Sequence, residues 1–518
     1  MSERADPRPQ VDGGRLHGSR CPGCGYALAE APGRCFVCGT RRDAAVFESG
    51  GVVWSSTVVR VRVGDRTPPY AVAVVDIDDG PRILAHLEHA ELAAPGSRVE
   101  LIGATSAGDP RYRVMGRGGP VFASSAAPVA TQLEGSLRGV AVLDRPVGIA
   151  GVGTSSFGAF MTRRLEELAW EAIEEAIADA GIRPGDIDAV WLGSVFCPGA
   201  MTPRILRGAG IAGIPTMRVE NACASGTTAL HEAISAVGSG RYETVLALGI
   251  EQLSTVFDGP IVPDLTDPDG ATGLALPALY GLQANRYLAE HPHVRIEDLA
   301  AVAVKNKANG SRNPRAQIRT PSTLEQVLAS RVIADPLTLL QCCPLGDGAA
   351  AAIVSSSESP VEVRASALAS GAPWDQRTNE LWGSACVRRA ATQAFGAAGV
   401  SIAEVDVLEV HDAFTIGEVS TLEALGMAAP GEGAALATSG RSCVGGTKPV
   451  NPSGGLLARG HPLGATGLAQ TAEIIWQLRG MAGPRQVRGA RIGVVETMGG
   501  GAAGVDGNAA VVAVFEAR

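Results

Sequence analysis

The chain has 518 residues and a formal net charge of −9, with 46% hydrophobic and only 4% aromatic residues. This length predicts three or more compact units, and an acidic chain without a long basic run is not expected to bind nucleic acid. The N-terminus lacks the apolar core of a secretory signal, and no apolar run reaches the ~18 residues that a membrane-spanning helix needs. We therefore expect a cytoplasmic protein without a membrane partner.

The first cysteines of the chain form two C-x-x-C pairs, Cys21 with Cys24 and Cys35 with Cys38. Two such pairs let four thiolates surround one ion in a tetrahedron, and cytosolic thiols stay reduced, so the pattern favours a structural zinc site over disulfides. Residues 21–45 are thus predicted to form a zinc ribbon, with unliganded thiols as the alternative. No basic recognition helix follows, which argues against a DNA-binding finger.

Residues 46–115 contain β-branched runs such as GVVWSSTVVRVRV and YAVAVVDID, separated by turn residues, which predicts a small β-barrel or sandwich. With the cysteine pairs, the segments SGGVVWSSTVV and PPYAVAVVDIDDGPRILAHL resemble a zinc-ribbon and OB-fold family that accompanies thiolase-like enzymes as acyl-CoA-associated subunits. The resemblance covers about residues 21–103 and implies an OB-like barrel fused here to its enzyme. OB barrels also bind oligonucleotides, but these strands lack the paired aromatic residues that stack bases.

The remaining residues alternate strand and helix patterns, which predicts an α/β body. VGIAGVG, DAVWLGSV and ETVLALGIE have the pattern of buried strands, and RLEELAWEAIEEAIADAGI has apolar residues at helical spacing. This alternation predicts a parallel sheet with helices on both faces, and a second similar pass suggests an internal duplication. The predicted organisation is a flexible N-terminus over 1–20, the ribbon over 21–45, the barrel over 46–115, a linker over 116–145, one half of the body over 146–354 with an inserted loop domain at about 255–335, and the other half over 355–518.

Three residues of the body are candidates for catalysis. Cys223, in ENACASG, lies between a strand pattern and a helix pattern, where a helix N-terminus favours the thiolate and small neighbours admit a bulky thioester. His411 and His461 follow strand-like segments, where open α/β sheets place their sites. A buried structural cysteine and ordinary satisfied histidines are the alternatives for these residues.

Taken together, these segments resemble the thiolase superfamily, especially its sterol-carrier-protein-type and archaeal acetoacetyl-CoA thiolase branches. The matching motifs occur in family order from Val147 onwards: VGIAGVGTSSFG, ENACASGTTAL, CCPLGDGAAAAIV, EVHDAFT, NPSGGLLARGHPLGATG and ETMGGGAAG. The resemblance implies a duplicated five-layer thiolase fold of two βαβαβ halves. It also implies acyl transfer with coenzyme A as substrate or product, and a homodimer or higher homo-oligomer.

The resemblance also assigns roles to residues. Cys223 would be the nucleophile that carries the acyl group, and His461 would lower the pKa of its thiol and take its proton. His411 would donate to the thioester oxygen, and backbone N–H groups at Gly499 and Gly500 would complete an oxyanion hole near the thiol. Thr497 would lie in the same substrate loop.

The sequence departs from the family pattern at the second acid/base. Most thiolases carry a second cysteine where this chain has Thr497, and the sterol-carrier type carries it where this chain has Ala413. A threonine hydroxyl has far too high a pKa to act as a simple base near neutral pH. Cys443 is a candidate replacement, whereas Cys342 and Cys343 precede a strand pattern and are expected in the core.

The leading hypothesis is an acyltransferase that cleaves 3-oxoacyl-CoA with CoA or runs the reverse Claisen condensation. The alternatives are a retro-aldol lyase on a 3-hydroxyacyl-CoA, acyl transfer to a non-CoA acceptor, and a non-catalytic acyl-CoA-binding scaffold. The inserted region holds basic residues that either line the entry for the CoA phosphates or form a solvated face: Lys305, Lys307, Arg312, Arg315 and Arg319. We also expect the barrel to contribute to the acyl pocket.

Overall fold

The computed structural model describes residues 6–116, 139–262 and 264–518, so most of the predicted linker lies outside the described residues. The strands are β1 Gln10–Asp12, β2 Arg15–Arg20, β3 Ala27–Leu28, β4 Asp43–Phe47, β5 Gly50–Val59, β6 Tyr70–Ile77, β7 Arg82–Leu87, β8 Arg98–Ala104, β9 Pro110–Gly116, β10 Gly148–Thr154, β11 Ala189–Gly193, β12 Thr216–Val219, β13 Thr244–Gln252, β14 Val332–Ala334, β15 Leu337–Thr338, β16 Asp347–Ser355, β17 Val361–Ser370, β18 Val407–Glu409, β19 Ile492–Gly499 and β20 Ala509–Ala517. The helices are α1 Leu165–Ala180, α2 Met201–Gly208, α3 Ser225–Gly238, α4 Pro268–Ala271, α5 Leu276–Glu290, α6 Ile296–Gly310, α7 Leu324–Ala329, α8 Ser384–Ala398, α9 Thr415–Ala424, α10 Ala435–Thr438, α11 Gly455–Arg459 and α12 Leu463–Leu478.

The first part of the chain forms a small antiparallel sheet in which β2 pairs with β1, β3 and β4. Residues 10–20 belong to it, although the sequence predicts a flexible segment there. The reason is that Leu16, fully buried, pairs with Phe47 of β4 and packs on the same apolar cluster as the barrel. One buried leucine with a complete backbone ladder orders a segment whose composition is otherwise polar.

The predicted OB-like barrel is present. Strands follow the order β5-β6-β7-β9-β8, and pairing of β5 with β8 closes the ring. Strands β7 and β9 run parallel, while the other neighbours in the ring run antiparallel. Closure gives each of the five described barrel strands a neighbour on both sides, and β14 of the body pairs with the end of β5.

The inserted residues fasten the barrel to the body. Ser55 of β5 donates to the Leu282 carbonyl at 2.6 Å, and Asn285 of α5 donates to the Ser56 carbonyl at 2.9 Å. Trp54 of the barrel packs edge-on against Trp374 of the body, with ring centroids 5.0 Å apart. One apolar cluster therefore contains residues of both barrel and body, among them Trp54, Val74 and Trp374.

The body is built on a long sheet with the order β12-β11-β13-β16-β10-β17-β20-β19-β18. Strand β11 runs parallel to β12 and β13, and β18 runs parallel to β19, but the remaining neighbours are antiparallel. The predicted parallel sheet is therefore wrong for much of its width. Two consecutive strands are parallel only if the segment between them crosses back to the end of the sheet where the first strand began. The insertion after β13 does not cross back, so β16 begins where β13 ends and runs antiparallel to it.

Duplication is visible in the order of the strands. From the centre outward, β10-β16-β13-β11 corresponds to β17-β20-β19-β18, and the two halves join at the Gly148–Glu362 pair. Helices α3 and α12 pack on each other between the halves, α1 covers β10 and β16, and α8 covers β17 and β20. This arrangement confirms the predicted five-layer α/β fold. In the described ranges, no helix is long and apolar enough to cross a bilayer.

Close contact between the central helices depends on glycine. A Cβ added at Gly226 of α3 would lie 2.3 Å from the carbonyl oxygen of Gly464 in α12. One added at Gly467 would lie 2.3 Å from the Thr227 side chain. The glycines of the ENACASG and GHPLGATG motifs thus bring the starts of the two central helices together, because no side chain keeps them apart.

Candidate active site

Cys223 lies in a tight turn between β12 and the first residue of α3. Ala222 before it has a positive φ of 49°, which is uncommon for a residue with a side chain. Ser225 fixes this turn: its hydroxyl donates to the Ala222 carbonyl at 2.6 Å and accepts the Asn221 N–H at 2.9 Å. The turn holds the thiol at the N-terminus of a central helix, as its sequence pattern predicts.

The structure brings Cys223, His411 and His461 together. The sulfur and one ring nitrogen of each imidazole all lie within 4.8 Å of one another. The two imidazole rings stand nearly perpendicular, at 79°, with their centroids 5.1 Å apart. Residues separated by up to 238 positions in the chain therefore form one cluster.

Thr466 sets the proton arrangement of His461. The threonine hydroxyl donates to the Pro462 carbonyl at 3.0 Å, so it accepts a hydrogen bond from His461 Nδ1, 2.7 Å away. The remaining ring nitrogen, Nε2, is then unprotonated, and it is buried without a hydrogen-bond partner. His461 thus presents a free lone pair inside the cluster.

Burial keeps the cluster uncharged at rest. It raises the pKa of the Cys223 thiol to about 12, although the Gly500 backbone N–H, hydrogen-bonded to the sulfur, acts in the opposite direction. Burial likewise lowers the pKa of His411 to about 3 and that of His461 well below its usual value. The predicted lowering of the Cys223 pKa is therefore wrong for the unliganded site, because burial outweighs the helix N-terminus and the Gly500 N–H.

A cavity of about 940 Å³ opens onto Cys223. Its wall includes the glycine-rich loop after β19, the insertion, and the N-terminal module. The apolar side chains Leu28 of the ribbon sheet, Val74 and Leu84 of the barrel, Leu282 of α5 and Trp374 of the body all face it. The expectation that the barrel contributes to the pocket agrees with this lining.

The four N-terminal cysteines converge as well. Cys21 and Cys38 have their sulfurs 3.4 Å apart, and Cys24 and Cys35 have theirs 3.5 Å apart, without a disulfide. Sulfurs around a tetrahedral zinc, each ~2.3 Å from the ion, would be about 3.8 Å apart. Four thiolates at nearly this separation fit such an ion, and all four ligand positions would be filled by protein.

Comparison with known proteins decides the family. Residues 149–358 match the thiolase N-terminal domain, and residues 373–515 match the thiolase C-terminal domain-like model. The acetyl-CoA acetyltransferase of Methanothermobacter thermautotrophicus is 40% identical over 386 residues, covering 72% of this chain and 99% of that protein. The chain belongs to the thiolase family. The predicted resemblance and the predicted class, a thiolase-like acyltransferase, are confirmed.

Other comparisons place this thiolase among diverse relatives. Human sterol carrier protein 2 is 37% identical over 387 residues, which cover 69% of this chain and 71% of that protein. The benzoylsuccinyl-CoA thiolase subunit BbsB of Thauera aromatica is 33% identical over 372 residues, covering 69% and 96%. Residues 47–103 match the C-terminal OB-fold domain of ChsH2, which confirms the predicted OB-fold resemblance.

Two solved structures share the fold. An Ltp2-ChsH2(DUF35) aldolase superposes with a TM-score of 0.63 at 26% identity, covering 73% of this chain and 99% of the other. Human mitochondrial 3-ketoacyl-CoA thiolase in complex with CoA gives 0.57 at 18% identity, covering 73% and 100%. At that identity, the second match shows the fold alone.

The position of the second acid/base is chemically inert in this thiolase. The Thr497 hydroxyl donates to Gln470 Oε1 at 2.7 Å and is fully buried. Ala413 offers its carbonyl to the Cys343 N–H at 2.9 Å and has no reactive group. Cys443 is not part of the described cluster around Cys223, and Cys342 and Cys343 are both half-buried and pack against the core.

Three of the five basic residues of the insertion form side-chain bonds within the protein. Lys305 is buried and forms an ion pair with Glu418 at 2.7 Å. Lys307 is also buried and donates to a backbone carbonyl, while Arg315 pairs with Glu175. Because Lys305 and Lys307 are buried, the expected CoA entry and the alternative of a solvated face are both wrong for these two residues. Arg315 is half-buried in its ion pair, and its part in the CoA entry stays a prediction.

Sequence reasoning missed Glu496. Its carboxylate accepts the His411 backbone N–H at 2.9 Å, and its other oxygen is buried without a partner. Burial raises the pKa of this carboxyl to about 7. The available signal was a charged residue inside the apolar strand pattern IGVVETMG, since a fully buried carboxylate is rare without a role.

Proposed function

We propose that this thiolase transfers acyl groups of CoA thioesters through a covalent acyl-Cys223 intermediate. The observation that carries the proposal is the convergence of a buried thiol with the unprotonated Nε2 of His461 at the end of a large cavity. The reaction is thiolysis of a 3-oxoacyl-CoA or the reverse Claisen condensation. The acetyl-CoA acetyltransferase and thiolase relatives support this choice.

In thiolysis, the Cys223 sulfur attacks the 3-oxo carbon while its proton passes to His461 Nε2. The bond between carbons 2 and 3 then breaks, which leaves the acyl group on sulfur. Carbon 2 of the departing acetyl-CoA enolate takes a proton. Because no second thiol joins the described cluster, we assign that proton to the imidazolium of His461.

Two donors suit the negative charge that develops on the substrate oxygens. The Gly500 N–H points at the sulfur, so it lies next to any oxygen on the carbon that the sulfur attacks. His411, two residues after β18, belongs to the same cluster as Cys223 and is assigned to the thioester oxygen. Gly499, which ends β19, is assigned to the same group of donors as Gly500. Donors of this kind are typically worth 10²–10³-fold in rate.

Intact-mass measurement tests the nucleophile. Incubation with an acyl-CoA is expected to add the mass of the acyl group to the wild-type chain but not to the Cys223→Ala variant. Cys443→Ala serves as the matched control and is expected to acylate like the wild type. A wild type without an adduct, or an adduct that survives in Cys223→Ala, would rule out the proposal.

A retro-aldol lyase acting on a 3-hydroxyacyl-CoA is the second candidate. The aldolase neighbour and the missing second thiol at Thr497 favour it. This reaction breaks the bond between carbons 2 and 3 without a covalent thioester on the enzyme, so Cys223→Ala would keep its turnover of that substrate. Loss of all turnover in the same variant supports the acyltransferase instead.

The substrate that we propose has a bulky apolar acyl group. An acetyl group would fill only a small part of the 940 Å³ cavity, and the barrel, α5 and Trp374 line the remainder with apolar side chains. Burying an apolar chain there releases roughly 25 cal/mol per Å² of surface removed from water. The acyl chain is therefore expected to bind between the body and the barrel.

Filling the cavity from the barrel side tests this placement. Leu84→Trp on β7 is expected to lower kcat/KM for a bulky acyl-CoA on the order of 10–100-fold, because the larger ring occupies the acyl space. Turnover of acetyl-CoA should change little. Val114→Trp, at an exposed position of β9, is the matched control, and equal losses for long and short substrates in Leu84→Trp would contradict the placement.

We also propose that Cys21, Cys24, Cys35 and Cys38 hold one structural zinc ion. The short sulfur–sulfur separations and the knuckle turns support this, with Gly25 and Gly39 both at a φ of +74°. When bound, the ion would cross-link the turns that place Leu28 in the cavity wall. The metal content of the purified chain tests this assignment.

We propose that two copies of the chain form a homodimer through the exposed edge of the long sheet. Strand β12 ends the long sheet and exposes most of its residues, including Met217. An exposed edge strand has unpaired backbone groups that a second copy can complete. Sedimentation velocity is expected to give a dimer, and a monomer at micromolar concentration would exclude this interface.

A further inference from the structure

The cluster of Cys223, His411 and His461 has the ligand types and the spacing of a transition-metal site. Its three ligand atoms lie within 4.8 Å of one another. Zinc holds cysteine sulfur at ~2.3 Å and histidine nitrogen at ~2.0–2.1 Å, so that ligand atoms on one ion are roughly 3.3–3.6 Å apart. The upper bound of 4.8 Å exceeds these separations by about 1.2–1.5 Å, which the ligands would close on binding the ion.

Unpartnered ring nitrogens point independently to a ligand. His461 Nε2 and His411 Nδ1 are both buried without a hydrogen-bond partner. The other nitrogen of His461 is bonded to Thr466 at 2.7 Å, which is how proteins fix the orientation of a metal-binding imidazole.

We propose that this cluster binds one Zn²⁺ ion when no acyl-CoA occupies the cavity, and that the ion blocks the nucleophile. The sulfur forms a bond to zinc and releases its proton to the solvent, and the two imidazoles supply further bonds. A water from the cavity takes the fourth position, as in zinc sites with three protein ligands. The inhibition rests on the proposed function, whereas the binding rests on the cluster alone.

The ribbon provides an internal reference for this second ion. Four thiolates bind zinc more tightly than one thiolate with two imidazoles, because zinc prefers the charged sulfur donors and the ribbon leaves no position for water. A mild chelator is therefore expected to remove zinc from the cluster first and to leave the ribbon zinc in place.

Equilibrium dialysis of the full chain against buffered Zn²⁺ tests the proposal. The wild type and the control Cys443→Ser should each bind one more zinc ion per chain than Cys223→Ser. Co²⁺ added after the ribbon is filled with zinc should give a thiolate-to-cobalt charge-transfer absorption that Cys223→Ser lacks. Equal metal content in wild type and Cys223→Ser would overturn the proposal.

A second measurement does not depend on a variant. Zinc should slow alkylation of Cys223 by iodoacetamide in the wild type at least tenfold, read by peptide mass, while Cys443 is alkylated at an unchanged rate. An unchanged rate at Cys223 would also overturn the proposal. The acyl-adduct experiment in zinc-free buffer separates the proposed acyl transfer from the proposed zinc site. An acyl adduct in a chain that binds no second zinc ion supports acyl transfer alone. A second zinc ion in a chain that forms no adduct supports the zinc site alone.

Discussion

The variant His461→Ala is expected to form acyl-Cys223 on the order of 10²–10⁴-fold more slowly than the wild type. The thiol of Cys223 has a pKa of about 12, so almost none of it is ionised near neutral pH. His461 Nε2 is the unprotonated, unpartnered base within 4.8 Å of the cluster's other ligand atoms. Without it, the proton has no acceptor when sulfur attacks. Rapid-quench mass spectrometry of the acyl-enzyme measures this rate.

The matched control for His461→Ala is Thr466→Val, which keeps the shape of the threonine but removes the acceptor of His461 Nδ1–H. This variant keeps the base and loses its fixed orientation, so we expect a smaller loss, on the order of 10-fold, with a shifted pH profile. His461→Ala acylating at the wild-type rate would show that the thiol uses another base. Equal and severe losses in both variants, with lowered Tm, would indicate structural damage instead.

The variant Lys305→Met is expected to lose about 3–5 kcal/mol of stability. Lys305 and Glu418 are both buried and 2.7 Å apart, and Glu418 also accepts bonds from Asn306 and Asn451 at 2.8 Å. Removing the ammonium group leaves a carboxylate charge buried beside Asp412, whose pKa burial already raises well above its usual value. Urea unfolding measures the loss.

Two comparisons separate this structural role from CoA binding. Arg312→Ala, at an exposed position of the same region, should change stability by less than about 0.5 kcal/mol. Lys305→Met with Glu418→Leu should recover part of the loss, because no lone charge remains buried. If Lys305→Met had an unchanged stability but a raised KM for acyl-CoA, Lys305 would contribute to CoA binding and not to stability.

The candidate site could largely be predicted because its members lie in short motifs. ENACASG, EVHDAFT and GHPLGATG each carry one member of the cluster with the glycines that its turn or helix contact needs. The cysteine pairs likewise encode their own turns. The roles of Thr466 and Glu496 were not predicted, although Thr466 lies in GHPLGATG and Glu496 is a charged residue in an apolar strand pattern, because each role depends on a hydrogen bond that only the folded chain forms.

The sequence alone determined the division into an N-terminal module and a thiolase body, and the alternation of strands and helices with its duplication. It also identified the three residues of the cluster. Each of these follows from short motifs or patterns in which the residues are neighbours in sequence. Only the tertiary structure decided the direction of the strands, the burial of Lys305 and which side chains of the barrel line the cavity. These depend on which distant segments meet: Asn306, beside Lys305, bonds Asp412 across 106 positions. Burial and ion pairing depend on these contacts between distant segments, so the sequence of one segment cannot predict them.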